Sequence, residues 1–342
     1  MLANAAVVTQ HGKEQCALLP TEKVIFAAET VVMSKITLAI HGGAGTILKS
    51  AMTPEKEAAY KTALQHALDE GYLILEAGGS ALDAVEKAVS LLEDSPLFNA
   101  GKGSVFTAAG THEMDASIME GKSLQAGAVS AITGVKNPVQ LARLVMEKSG
   151  HVFLSGAGAE AFARDQQVSF CDKDYFYDEL RYQQWQELKD TDHFQLDHAA
   201  KKEQKFGTVG AVALDSAGNV AAATSTGGMT NKQYGRVGDS PMIGAGNYAN
   251  NNTCAISCTG SGEFFIRAVV AYDVSCLMEH KGMTLQAACA EVIQNRLLKI
   301  GGDGGLIAVD RQGNIALEFN TEGMYRGQRN SNGLNEVAIY AL

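Results

Sequence analysis

Two stretches of the chain read nearly alike: residues 210–229 are GAVALDSAGNVAAATSTGGM and residues 305–324 are GLIAVDRQGNIALEFNTEGM. Each alternates into an Asp-x-x-Gly-Asn turn and then into a returning apolar run, the signature of a β-hairpin. Between them, residues 262–279 and 284–298 carry apolar positions at helical spacing. Hairpins separated by helices need sheets with helices laid over them, so the expectation is an α+β fold.

The first half supplies more of the same material. Residues 36–41 read as a buried strand running into HGGAG at 41–45. Tyr60, Leu64, Leu68, Tyr72 and Leu75 mark one face of a helix over 54–77. Ser80, three residues before Asp83, predicts a capped helix start and a helix to about Leu92. Pro96 to Gly103 reads as loop, 115–119 and 124–132 as strands, and Pro138 to Lys148 as another helix. From Asp172 to Lys205 the chain is charged and has no glycine. Such a stretch predicts a solvated helix followed by a mobile linker, about 185–207. Residues 1–33 precede the first convincing strand and are expected to be an extension outside a single domain spanning 34–342.

The formal net charge is −10, which leaves no basic footprint for nucleic acid. A small molecule or a dipeptide is the easier substrate to accept. No run approaches the roughly 18 apolar residues of a membrane span, and no signal peptide is evident, so a cytoplasmic protein without a membrane partner is expected. The six cysteines form no CxxC pair and have no accompanying histidine cluster. Reduced thiols are expected, with no metal or cofactor for catalysis.

The charged segment stops at Gly207-Thr208, where β-type sequence begins. A threonine hydroxyl is a weak nucleophile until a base takes its proton. A free α-amine on the same residue is such a base, with an ordinary pKa of about 7.7–8.0. Thr208 acquires that amine only if the bond after Gly207 breaks. Gly207 has no side chain to shield its carbonyl from the Thr208 hydroxyl. Arg236, in the glycine-flanked run Gly235 to Asp239, could grip a carboxylate with two hydrogen bonds, and Asp239 could receive an ammonium. A surface ion pair is the other reading of those two residues. Thr259-Gly260-Ser261-Gly262 joins a strand to a helix, and the Thr259 hydroxyl with the Gly260 N–H could hold an oxyanion. An ordinary helix start fits the same residues. Thr226 ends the first returning strand, placed to orient the amine or simply to close a turn.

Taken in order, HGGAG (41–45), NAG (99–101), GTVG (207–210), TGGMTN (226–231), GRVGDS (235–240) and CTGSGE (258–263) resemble the plant-type asparaginases, also called isoaspartyl peptidases. The likeness spans Lys35 to Arg326 and is strongest to the bacterial isoaspartyl dipeptidase branch. The resemblance implies a four-layer αββα sandwich of the N-terminal nucleophile type. It also implies self-cleavage into an α subunit (1–207) and a β subunit (208–342), and a dimer of such αβ units. On this basis Thr208 is the nucleophile, Thr226 its support, and Thr259 and Gly260 the oxyanion pair. Arg236, Val237, Gly238, Asp239, Ser261 and Gly262 line the substrate pocket, with Asn99 beside the nucleophile. A structural sodium ion would sit on main-chain carbonyls of Leu92, Glu93, Ser95, Phe98, Ala100 and Lys102. The implied activity is release of L-aspartate from β-aspartyl dipeptides and L-asparagine, glycosylasparaginase being the alternative.

Overall fold

The computed structural model describes residues 35–189 and 207–341. The expected extension, residues 1–33, and most of the expected linker lie outside them. The first four residues of that linker expectation are instead helical: α6 (Glu179–Leu188) continues to Leu188, whose side chain is buried. Trp185 in α6 stacks on Phe106 at 5.6 Å between ring centroids, and such apolar anchoring outweighs the charge of the surrounding sequence.

An eight-stranded sheet runs in the order β12-β11-β1-β5-β6-β2-β3-β4. Its strands are β1 (Thr37–Gly45), β2 (Met114–Glu120), β3 (Ala126–Ile132), β4 (Phe153–Ser155), β5 (Val209–Leu214), β6 (Val220–Thr226), β11 (Gly323–Asn330) and β12 (Asn335–Tyr340). A four-stranded sheet has the order β10-β9-β8-β7, from β7 (Asn247–Ala249), β8 (Cys254–Gly260), β9 (Gly304–Asp310) and β10 (Ile315–Phe319). The two similar stretches are hairpins, one in each sheet: β5–β6 and β9–β10. Their turns close in the same way. Asp215 Oδ1 accepts from the N–H groups of Ala217 and Asn219 at 3.0 and 2.9 Å, and Asp310 Oδ1 from those of Gln312 and Asn314 at 2.9 and 3.0 Å. This is the local side-chain capping that makes Asp a turn residue.

Period-2 alternation sorts each strand between two neighbours. Leu38 and Ile40 of β1, Val209, Ala211 and Ala213 of β5, and Ala221 and Ala223 of β6 pack with α1 (Pro54–Glu76), α2 (Ala81–Glu93) and α3 (Pro138–Lys148). Their alternates Ala39, Val212, Leu214, Val220 and Ala222 meet Ala255, Ile307 and Val309 of the smaller sheet. The other face of that sheet, Cys254, Ile256, Cys258, Leu306 and Ala308, packs on residues of α8 (Val270–Lys281) and α9 (Leu285–Ala290). Full burial of each large aliphatic side chain in these layers contributes about 1.5–3 kcal/mol.

The helices start where expected. Thr53 Oγ1 accepts from Lys56 N at the head of α1, and Ser80 Oγ from Asp83 N at the head of α2. α4 (Gly156–Asp165) and the short α5 (Lys173–Phe176) complete the first half. The helix expected over 262–279 is interrupted. α7 (Gly262–Ala268) ends at Val269, which takes φ +51°, and α8 starts afresh. The break lets Ala271 and Tyr272 donate to the carbonyls of Ala245 and Gly244, at 3.1 and 2.8 Å. It therefore satisfies helix-start N–H groups with the neighbouring loop.

No helix among the described residues is long and apolar enough to cross a membrane. Cys254, Cys258 and Cys289 are buried free thiols, and burial pushes each above the usual thiol range.

Candidate active site

Thr208 immediately precedes β5 and shares the parity of Gly210 and Val212, so strand alternation turns it toward the smaller sheet. Thr226, at the end of the neighbouring β6, has the same orientation. The two hydroxyls meet: Thr208 Oγ1 donates to Thr226 Oγ1 at 3.1 Å, and Gly228 N donates to the same oxygen at 3.0 Å. Both threonines are buried. With two donors on its oxygen, Thr226 keeps its own proton free for a further acceptor.

The turn carrying Thr226 is braced by Asn99. Its Nδ2 donates to Gly228 O at 2.7 Å, its carbonyl accepts from Gly227 N at 2.9 Å, and its Oδ1 accepts from Val105 N at 3.1 Å. Asn99 thus acts on the site through the 226–228 turn, with its amide spent on backbone groups.

Thr259 comes from the inward face of β8. Its hydroxyl oxygen accepts from Ala44 N at 3.2 Å, which leaves its proton available to a developing negative charge. Gly207 is wedged between Thr259 and β1. A methyl on Gly207 would lie 3.0 Å from Thr259 Oγ1, and one on Gly43 would lie 2.5 Å from Gly207 Cα. The HGGAG run is therefore what lets the strand pass so close to Gly207. Gly43→Ala is expected to displace Gly207 and slow or stop cleavage after it, leaving a single band on a denaturing gel with native circular dichroism. Cleavage of that variant at the wild-type rate would refute the close approach.

Beneath Thr208 lies a buried polar chain that sequence reasoning missed. His41 Nδ1 lies 3.0 Å from the Thr208 carbonyl oxygen, and His41 Nε2 lies 2.9 Å from Ser257 Oγ. Ser257 Oγ in turn lies 2.7 Å from Thr224 Oγ1, which is 3.2 Å from Gly246 O. Burial holds His41 far below the ordinary histidine range, to about 3, against the raising effect of the Thr208 carbonyl. A neutral ring then donates from Nδ1 to Thr208 and accepts from Ser257 at Nε2. His41 is thereby a positioning residue for Thr208, without proton-transfer duty. Gly210 makes the room: a methyl there would sit 2.0 Å from Ser257 Oγ and 2.4 Å from His41 Nε2. The one available signal was a histidine in the alternation of β1, on the same face as Ala39.

A second cluster follows along the chain from Thr259. A methyl at Gly262 would lie 3.0 Å from both Arg236 Nη2 and Asp239 Oδ1, so a cation, an anion and a bare backbone converge on one small space. Arg236 is paired, but with Glu263: Nε to Oε1 is 2.8 Å and Nη2 to Oε2 is 2.9 Å. Asp239 is buried, and its Oδ2 has no hydrogen-bond partner among the described residues. Desolvation pushes its carboxyl up to about 7, opposed by its own backbone N–H and by Arg236, and assisted by Glu263 and Asp115. Gly238 is buried and Val237 half-buried between them. Ser261 turns away: its hydroxyl donates to Asp303 Oδ1 at 2.5 Å and seats the start of α7.

Among the described residues no cluster of three or more His, Cys, Asp or Glu could hold a metal. Main-chain carbonyls are a separate matter. Between the end of α2 and Gly103, methyls at Gly101 and Gly103 would strike the carbonyl oxygens of Glu93 and Phe98, at 2.5 and 2.0 Å. Leu92, Phe98 and Ala100 carbonyls each accept a backbone N–H, and each carbonyl has a second lone pair. Main-chain carbonyls are hard oxygen donors, the type a monovalent cation takes.

Comparisons with known proteins show what the chain as a whole is similar to. The chain is 52% identical over 311 residues to the isoaspartyl peptidase of Salmonella typhimurium, covering 90% of this chain and 99% of that one. It is equally 52% identical over 311 residues to the isoaspartyl peptidase of Escherichia coli, covering 90% and 97%. The isoaspartyl peptidase/L-asparaginase of Xenopus laevis is 43% identical over 291 residues, covering 85% and 91%. Residues 34–339 match the sequence profile of the family described as Asparaginase, and the chain belongs to that family.

Proposed function

We propose that the protein is a self-cleaving threonine hydrolase that releases L-aspartate from β-aspartyl dipeptides and from L-asparagine. The observation that carries the reading is the Thr208 hydroxyl on Thr226, with Gly207 pressed against Thr259 and with Gly262, three residues past Thr259, facing Arg236 and Asp239. The helix, sheet, sheet and helix packing described above supports a four-layer αββα sandwich for the described residues.

In the first step Thr208 Oγ attacks the Gly207 carbonyl and the acyl group moves from nitrogen to oxygen. Water then hydrolyses the ester and leaves a free α-amine on Thr208. In turnover, Arg236 holds the substrate α-carboxylate and Asp239 its α-ammonium. Thr208 Oγ attacks the side-chain carbonyl and gives its proton to its own amine. The Thr259 hydroxyl and Gly260 N–H hold the tetrahedral oxyanion. The amine or ammonia leaves with the proton, and water frees aspartate from the ester. The test is aspartate release from β-Asp-Leu and L-asparagine by the purified protein. No release from either would sink the reading. The glycosylasparagine alternative gains nothing from the relatives, which carry other names.

Asp239 makes this pH-dependent. An acid raised to about 7 is largely neutral below that pH and a carboxylate above it. Only the carboxylate holds an ammonium, so KM should fall as pH rises between about 6 and 8. Asp239→Asn should raise KM and flatten that dependence. A wild-type KM indifferent to pH over the same range would remove Asp239 from the binding role.

We also infer a structural sodium ion on the 92–102 loop. It would tie the end of α2 to the turn holding Asn99 and take no part in the chemistry. Replacing sodium with tetramethylammonium should lower Tm by roughly 4 °C and leave kcat unchanged. A Tm insensitive to sodium concentration would argue against it. The expected assembly, a dimer of αβ units, would be contradicted by a sedimentation mass equal to one chain.

A further inference from the structure

The guanidinium of Arg236 has two edges, and they face different things. The Nε–Nη2 edge is filled by Glu263, through two bonds of 2.8 and 2.9 Å. The Nη1–Nη2 end faces the bare glycines: a methyl on Gly238 would lie 3.0 Å from Nη1, and one on Gly262 would lie 3.0 Å from Nη2. Both glycines therefore keep side-chain volume out of the space before the free end, and that space also reaches Asp239 Oδ1 at 3.0 Å from the Gly262 position. A guanidinium offers five N–H donors in a rigid fork. Two edge donors engaged by Glu263 leave the end-on pair for a second carboxylate.

Resting on the substrate assignment above, we propose that Glu263 is a positioning residue for substrate recognition: it locks Arg236 side-on so that the Nη1–Nη2 end is preset toward the α-carboxylate of the aspartyl substrate. The arrangement fits the exposures. The Arg236 side chain is 20% exposed and that of Glu263 is 46% exposed. A pair this wet adds little to fold stability, so its use lies in orientation. Burial alone would raise the Glu263 carboxyl, but its bonds to Arg236 outweigh that and hold it below the usual carboxylate range. It is thus ionised wherever the enzyme works. Glu263 is the second residue of α7, directly after Gly262, so the helix start sets its distance from the pocket. An arginine on a flexible stem loses side-chain entropy when it grips a substrate, and prior fixing removes most of that loss.

The test compares Glu263→Gln and Glu263→Asp with the wild type on L-asparagine, and on the analogue 3-aminopropanamide, which lacks the α-carboxylate. Glu263→Gln should raise KM for asparagine about tenfold with kcat within about twofold, as the loss of one charge-assisted grip would. Its self-cleavage should match wild type, because Glu263 does not touch Gly207 or Thr208. Glu263→Asp should recover part of the KM. The analogue should be equally poor with all three proteins. A KM that falls in Glu263→Gln would show Glu263 competing with substrate, and an unchanged KM would show no role; either overturns the proposal. Failure of the wild type itself to release aspartate from asparagine would instead defeat the parent assignment, so the two failures are distinguishable.

Discussion

Thr208→Ala should yield one uncut polypeptide that releases no aspartate. In the proposed mechanism the side chain supplies the attacking oxygen for both reactions, so without it the Gly207–Thr208 link should persist and the α-amine should never form. The expected loss of activity is at least roughly 10⁴-fold, the scale seen when a nucleophile is removed from a catalytic unit. The fold should survive. What the native structure loses is a single hydrogen bond to Thr226, of 3.1 Å, worth about 1 kcal/mol. Thr208→Ser keeps a hydroxyl and should still cut and turn over, more slowly. A Thr208→Ala protein that is cut and active would disprove the nucleophile.

Arg236→Ala carries the second large effect, and it separates recognition from chemistry. Arg236 lies in the loop before Asp239, and its side chain is paired with Glu263. Removing it should leave self-cleavage intact while kcat/KM for β-Asp-Leu falls roughly 10²- to 10³-fold, the cost of truncating one side of a charge-assisted, bidentate grip. Arg236→Lys should recover only part of this, because an ammonium cannot span both carboxylate oxygens and Glu263 at once. Steady-state kinetics together with a denaturing gel read both outcomes. A wild-type kcat/KM in Arg236→Ala would exclude it from substrate binding, and failure of that variant to cut would mean the loop is needed for folding.

The parts of this site that were legible in the sequence are those written locally. The two Asp-x-x-Gly-Asn turns announced their hairpins because each Asp caps its own turn. The parity of Thr208 with Gly210 and Val212 follows from strand alternation alone. The motif order grouped Thr208, Thr226, Thr259 and Arg236; the structure brings the Thr208 hydroxyl to Thr226 and Gly207 to Thr259, and sets Arg236 beside Asp239 and Gly262. What stayed hidden depends on pairings between distant segments. His41 and Ser257 are far apart in sequence, and only the antiparallel register of β1 with β5 places His41 opposite Gly210. β1 also lies between β11 and β5, an order that no local pattern encodes. Arg236 could be read as a carboxylate grip or an ion pair; its observed partner is Glu263, and the free end of its fork keeps the first reading open. The break at Val269 arises from carbonyls of the 244–245 loop, which periodicity cannot see. Ser261 looked like a pocket residue because of its neighbours, yet Asp303 claims its hydroxyl.

Everything rests on one residue holding both a hydroxyl and a newly exposed amine. The direct measurement is intact mass spectrometry with N-terminal sequencing on the same sample that is assayed for aspartate release. Activity should appear only with two polypeptides, one of them starting at Thr208. A fully active sample in which residues 207 and 208 are still joined would contradict the account.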